Sequence, residues 1–129
     1  MNGKYLFDTN IIIALFKSEE AITNKLKNRI EIYIPSIAIG ELFYGAYKSI
    51  KVAENKKRIN DFVTSINCLQ VTDNTADFYG SIKNQLKKAG TPIPENDIWI
   101  AAIAQENNLT LVTRDAHMEK VDNISIEFW

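Results

Sequence analysis

Along this chain the apolar positions switch between short unbroken runs and stripes spaced three and four residues apart. The runs "YLF" (5–7), "EIYIP" (31–35), "CLQV" (68–71), "LTLVT" (109–113) and "ISIEFW" (124–129) have the length and the β-branched or aromatic content of strands. The stripes predict helices over "NIIIALF" (10–16), "EEAITNKLKNR" (19–29), "IAIGELFYGAYKSI" (37–50), "KVAENKKRINDFVTSI" (51–66), "TADFYGSIKNQLKKAG" (75–90) and "ENDIWIAAIAQENN" (95–108). Thr9 or Asn10, Ser18 and Ser36 are plausible N-caps, and Gly90 is a plausible stop. Strands alternating with helices predict a single α/β domain over 1–129, built on a parallel sheet covered on both faces. In open sheets of that kind ligands bind beyond the carboxyl ends of the strands.

One charge breaks this pattern early. In "KYLFDTNIII" the only charged side chain between Lys4 and Lys17 is Asp8, with Leu6 and Phe7 before it and Ile11 to Ile13 after. An isolated buried carboxylate is costly unless it is paired, hydrogen-bonded or bound to a metal. Three more acids stand out in the same way. Glu41 is alone between Glu31 and Lys48 in the middle of an apolar helix, Asp97 opens the helix "DIWIAAIAQ", and Asp115 follows "LTLVT" by two residues. Asp8 could cap a helix, Asp97 could favour a helix dipole and Asp115 could be a turn residue. Glu41 has no capping role, so a structural ion pair is its main alternative.

The layout sends Asp8, Asp97 and Asp115 to one edge of the sheet. Two carboxylates about 4 Å apart repel by about 4 kcal/mol at an effective dielectric near 20. A divalent cation reverses the sign of that interaction. All-oxygen ligands select Mg²⁺ or Mn²⁺ rather than zinc, in keeping with one histidine and one cysteine. Such sites suit phosphodiester hydrolysis, because the metal acidifies and orients a water and neutralises the leaving oxygen.

The segments "LFDTNIII", "IPSIAIGELFYG", "PENDIWIAAIA" and "LVTRDAHMEKV" resemble the signature segments of PIN-domain nucleases, particularly the VapC ribonuclease toxins of toxin–antitoxin pairs. The resemblance spans nearly the whole chain. It implies a three-layer α/β/α fold with a central, mainly parallel five-stranded sheet, and Mg²⁺- or Mn²⁺-dependent cleavage of RNA to a 3′-hydroxyl and a 5′-phosphate. It also implies that Asp8, Glu41, Asp97 and Asp115 are catalytic and hold the metal, that Thr113 and Asn10 support them, and that Asp115, the loosest of the four, acts directly or through water. Glu119 is a nearby substitute for which a surface position is favoured. Implied partners are an RNA substrate, a cognate antitoxin that obstructs the site, and a second copy of the chain in a homodimer that joins a larger assembly with the antitoxin. Exposed apolar surface around Leu42, Phe43, Tyr44 and Tyr47 is what an antitoxin would cover, with core packing as the alternative.

Composition changes this picture little. The chain has 129 residues, 46% hydrophobic and 24% charged, with a net charge of −1 and a pI near 5.8. Near-neutrality excludes nucleic-acid binding by charge alone, not an enzyme whose carboxylates mask a basic rim. The lone Cys68 excludes an internal disulfide and a cysteine-rich zinc site. No run is long enough for a membrane span, so a cytoplasmic protein without membrane attachment is expected. Arg114 is a candidate substrate contact or a balance for Asp115, His117 is expected on the surface or in packing, and Trp99 in the core. The lysines of "KVAENKKR" and "KNQLKK" are expected to form solvated helix faces, with RNA-backbone contact as the minority reading.

Two other classes remain. A haloacid-dehalogenase-type phosphohydrolase needs an acid two residues after the first, where this chain has Asn10. A Mg²⁺-binding receiver-like signalling domain needs an acidic pair after strand one and a lysine after the last strand, and this chain has neither. A PIN-family RNA-processing nuclease without a toxin role is the alternative inside the family.

Overall fold

The computed structural model describes residues 3–28 and 30–129. Five strands, β1 (Lys4–Phe7), β2 (Glu31–Pro35), β3 (Asn67–Leu69), β4 (Thr110–Thr113) and β5 (Ser125–Phe128), form one sheet in the order β3-β2-β1-β4-β5. Every described pairing is parallel, with Leu6 opposite Tyr33 on one side and Leu111 on the other. The helices are α1 (Thr9–Phe16), α2 (Glu20–Lys25), α3 (Ser36–Tyr47), α4 (Val52–Thr64), α5 (Asp73–Ala89) and α6 (Glu95–Glu106).

The period of two along β1 divides the core. Tyr5 and Phe7 join Ile34 and Val112 under α1 to α4, while Leu6 and Leu111 pack under α5 and α6. These two clusters make three layers. Buried on both faces, β4 has all four residues inside, whereas the edge strands β3 and β5 are partly exposed. Helix α6 is apolar nearly all round, with Ile98, Ile100, Ala101, Ala102, Ile103 and Ala104 buried. Ile100 and Ile103 have no exposed surface, and burial of such a side chain is worth roughly 1.5–3 kcal/mol.

Several boundaries differ from those the pattern predicts. Asp8, not Thr9 or Asn10, caps α1 through its side chain. Ser18 has a positive φ and Glu19 precedes α2 without a side-chain cap; the predicted end of this helix at Arg29 lies outside the described residues. Ser36 is the first residue of α3, after Pro35. Helix α5 starts before the apolar stripe because Thr72 and Thr75 cap each other reciprocally, and it ends at Gly90 in the left-handed region with φ +70°. A short 3-10 turn over Ala116–Lys120, which apolar spacing does not announce, follows β4. Trp99 is half-buried and stacks on Tyr79 at 4.0 Å rather than lying in the core. Cys68 is a partly buried member of the α1–α4 side, and burial pushes its thiol pKa up. No helix among the described residues is long and apolar enough to cross a membrane.

The chain builds outward from β1 in both directions: β2 and β3 add to one side, β4 and β5 to the other. The carboxyl ends of β1 and β4 therefore flank a topological switch point, the place where such sheets open a crevice.

Candidate active site

Asp8 and Thr113 sit side by side at that switch point. Asp8 follows β1 and its N–H donates to the Val112 carbonyl (3.0 Å), carrying the β1–β4 ladder one residue further. Its side chain, in a residue only 4% exposed, accepts the Thr9 N–H at 2.8 Å and the Thr113 hydroxyl at 2.7 Å. Burial pushes the Asp8 pKa up, the hydrogen bonds from Thr113 and Thr9 oppose this, and the charges of Glu41 and Asp115 reinforce it.

Thr113 also accepts the Asp115 N–H at 3.0 Å, so one buried hydroxyl joins two of the acids. Asn10 closes the same corner: its carbonyl oxygen accepts the Arg114 N–H at 3.1 Å, and its amide lies 3.5 Å from both Asp8 and Thr113. Glu41, half-buried on α3, accepts the Thr9 hydroxyl at 2.7 Å. Thr9 thus holds one acid with its backbone and another with its side chain.

Asp97 enters from the first turn of α6. A helix N-terminus favours a carboxylate, yet its pKa is pushed up to about 7, first by burial and then by the charges of Asp8, Asp115 and Glu41, with His117 pulling the other way. Across from it, Asp115 accepts the His117 N–H at 2.9 Å, and the His117 Nδ1 lies 2.9 Å from the same carboxylate and 4.0 Å from Asp97. Among the described residues no lysine or arginine forms an ion pair with any of these four acids.

Among the described residues, Asp97, Asp115 and His117 form a group of three ligand-capable side chains whose atoms lie within 4.8 Å of one another. Asp8 and Glu41 act on Asp97 through their charges, and their oxygens are directed by Thr9 and Thr113. His117, expected as a surface or packing residue, is half-exposed but belongs to the cluster. Its signal was its place two residues after Asp115, where the 3-10 turn folds it back. Thr9 was read only as a cap; its adjacency to Asp8 was the available signal. Glu119 is exposed. Arg114 does not face Asp115: its guanidinium pairs with Glu19 at 2.9 Å and donates to the Trp129 main-chain oxygen at 2.8 Å.

Two clefts meet at Glu41, Ile13 and Gly45. One, of about 420 Å³, is an apolar groove walled by Phe16, Leu42 and Ile59, with Arg58 at its rim. The other, of about 790 Å³, runs past Thr9, Ser36 and Asn96 to Tyr44 and Lys48. Leu42 is buried and Phe43 packs against the core, while Tyr44 and Tyr47 are exposed. The apolar surface expected around these four residues is therefore divided between core and solvent.

The PIN domain family model matches residues 5–124. The chain belongs to the PIN domain family. This PIN domain is 36% identical to Ribonuclease VapC2 of Haemophilus influenzae, over 98% of each chain. It is 32% identical to the tRNA(fMet)-specific endonuclease VapC of Salmonella typhimurium, again over 98% of each. Among solved structures it superposes on a chain of VapBC2 from Rickettsia felis, bound to a DNA fragment from the promoter, with a TM-score of 0.90 and 30% identity over 98% of both chains. The three-layer parallel architecture implied by the four signature segments is the architecture of this PIN domain.

Proposed function

We propose that this chain is the endoribonuclease toxin of a toxin–antitoxin pair, hydrolysing RNA phosphodiester bonds with Mg²⁺ or Mn²⁺ at its acidic pocket. The observation that carries the reading is the convergence of acids at the β1–β4 switch point: Thr113 joins Asp8 to Asp115, Asp115 lies close enough to Asp97 to share a cation, and burial with the neighbouring acids pushes the Asp97 pKa up to about 7. Such a pocket is electrostatically incomplete, and its donor set fits a divalent cation. Asp97 and Asp115 would hold it, with Asp8 and Glu41 completing the negative field and His117 orienting Asp115. Carboxylate donors favour Mg²⁺ or Mn²⁺. The bound cation would supply positive charge against the scissile phosphate and acidify a water for in-line attack. The chain's own residues preorganise this. Thr113 and Thr9 hold Asp8 in one orientation, Thr9 does the same for Glu41, and the cleft past Ser36 and Asn96 opens at Glu41.

The ribonuclease and VapBC names of the relatives support RNA as substrate and an antitoxin as partner. The apolar groove of Ile13, Phe16, Leu42 and Ile59, which ends at Glu41, suits an apolar segment of that partner. Its place of action is the cytoplasm, with products ending in a 3′-hydroxyl and a 5′-phosphate. Incubating the purified chain with a panel of structured RNAs, initiator tRNA included, tests this. Cleavage is expected with Mg²⁺ or Mn²⁺ and none with chelator, and cleavage unaffected by chelator would remove the mechanism. Expression without a partner should arrest growth; normal growth would reduce the reading to an RNA-processing nuclease.

A further inference from the structure

Beyond the acidic pocket, the surface of α3 carries a feature that the hydrolytic chemistry does not use. Ile37, Glu41, Tyr44 and Lys48 follow one another at helical spacing and share one stripe of α3, which walls the 790 Å³ cleft. Tyr44 is 66% exposed and Tyr47 is 61% exposed, far more than folding requires of a tyrosine. Each lies under a lysine: the Lys48 ammonium is 4.7 Å from the Tyr44 ring centre, and the Lys56 ammonium is 4.7 Å from that of Tyr47. Among the described residues neither lysine has a carboxylate at ion-pair distance, unlike Lys51 with Glu54 and Lys57 with Asp61. Tyr44 and Lys48 line the cleft that contains Glu41, and Tyr47 follows one turn later on α3.

We infer that Tyr44 and Lys48, continued by Tyr47 and Lys56, form a track that binds unpaired nucleotides of the RNA on one side of the scissile bond. The chemistry of the patch selects that ligand. An exposed ring offers a stacking platform to any unstacked base once the flexible lysine over it swings from the ring face to the adjoining phosphate. By the helical rise, Tyr44 is roughly 4.5 Å and Lys48 roughly 10 Å along the axis from Glu41, so a strand held there enters the acidic pocket. The inference rests on the nuclease reading for the identity of the nucleic acid, and its test separates binding from cleavage.

The test is the affinity of the full chain, in chelator, for a fluorescein-labelled single-stranded RNA of mixed sequence, measured by anisotropy over a range of salt, beside cleavage kinetics with Mn²⁺. Tyr44→Ala is expected to weaken binding about tenfold, and Tyr44→Phe to retain it, because stacking needs the ring and not the hydroxyl. Lys48→Gln and Lys56→Gln should each weaken binding several-fold and flatten the dependence of log K on log salt by about 0.7. In cleavage these losses appear in KM, with kcat unchanged. Parent-like affinity and salt slope in Tyr44→Ala and Lys48→Gln would overturn the track while metal-dependent cleavage by the parent left the nuclease reading standing. A parent that neither binds nor cuts RNA overturns both. If the variants instead dissociate a dimer at unchanged RNA affinity, measured by sedimentation, the face belongs to self-association and the inference is wrong.

Discussion

Helix α6 carries an acid near each end, and the two live in opposite surroundings. At its C-terminal end Glu106 accepts the buried Thr75 hydroxyl at 2.6 Å, with the Thr72 hydroxyl at 3.4 Å, so the N-cap of α5 is tied to the end of α6. That acid is paired although the helix dipole disfavours it there. At the N-terminal end Asp97 enjoys the favourable dipole but faces Asp8, Asp115 and Glu41, with only His117 to oppose them. Folding has satisfied the acid that ties two helices together and left the other in repulsion. The contrast marks Asp97, and not Glu106, as the carboxylate that the fold leaves unsatisfied.

Four measurements bear on that contrast. The largest expected effect is on activity: Asp97→Asn should lower Mn²⁺-stimulated RNA cleavage by more than about 100-fold, beyond what loss of an outer partner of a metal site costs. A variant cutting at the parent rate would sink the functional half of the comparison. Thr113→Val removes the hydroxyl that orients Asp8 and accepts from Asp115. It should cost about 10- to 100-fold in cleavage or in apparent metal affinity, seen as a shifted Mn²⁺ titration.

Stability should respond in the opposite direction at Asp97. Because its pKa in the fold lies near 7, above the ordinary carboxylate range, the fold favours the protonated form. The associated stability is present at low pH and is lost as pH rises toward 7. In chelator, the advantage of Asp97→Asn over the parent in denaturant melts should therefore grow from near zero at pH 4 to roughly 1–3 kcal/mol at pH 8. Saturating Mn²⁺ should erase it, and a pH-independent difference would contradict the electrostatic account. The smallest effect belongs to the other end of the helix. Thr75→Val should destabilise by about 1–2 kcal/mol through the lost hydrogen bonds to Glu106 and from the Thr72 N–H, with kcat unchanged at a temperature where both proteins are folded. An activity loss there without a stability loss would show that the two ends of α6 are not independent.

Most elements were legible in the sequence because their signals are local. The run around Leu6 and Phe7, the stripe through Ile59 and Phe62, and Gly90 as a stop each depend on neighbours within a few residues. The errors fall where local pattern is silent. Helix α5 begins at Asp73 because the Thr72–Thr75 cap, not an apolar residue, starts it. The 3-10 turn after β4 is held by Asp115 accepting the His117 N–H and carries no apolar period. Trp99 looked like core in a strongly apolar helix, but it lies at the α5–α6 margin against Tyr79.

The acids divide along the same line. That Asp8, Glu41, Asp97 and Asp115 interrupt apolar segments is visible in one dimension, since a charge without local compensation stands out there. Which residues share their space depends on the fold. Parallel pairing of β1 with β4 sets Thr113 against Asp8, Thr9 bridges from α1 to Glu41 on α3, and the turn after β4 folds His117 between Asp115 and Asp97. Those contacts join residues as much as 105 positions apart in the chain. Hydrogen bonds and charge interactions act over a few ångströms of space, whatever the distance along the chain, so spacing announces a contact only between near neighbours such as Asp115 and His117.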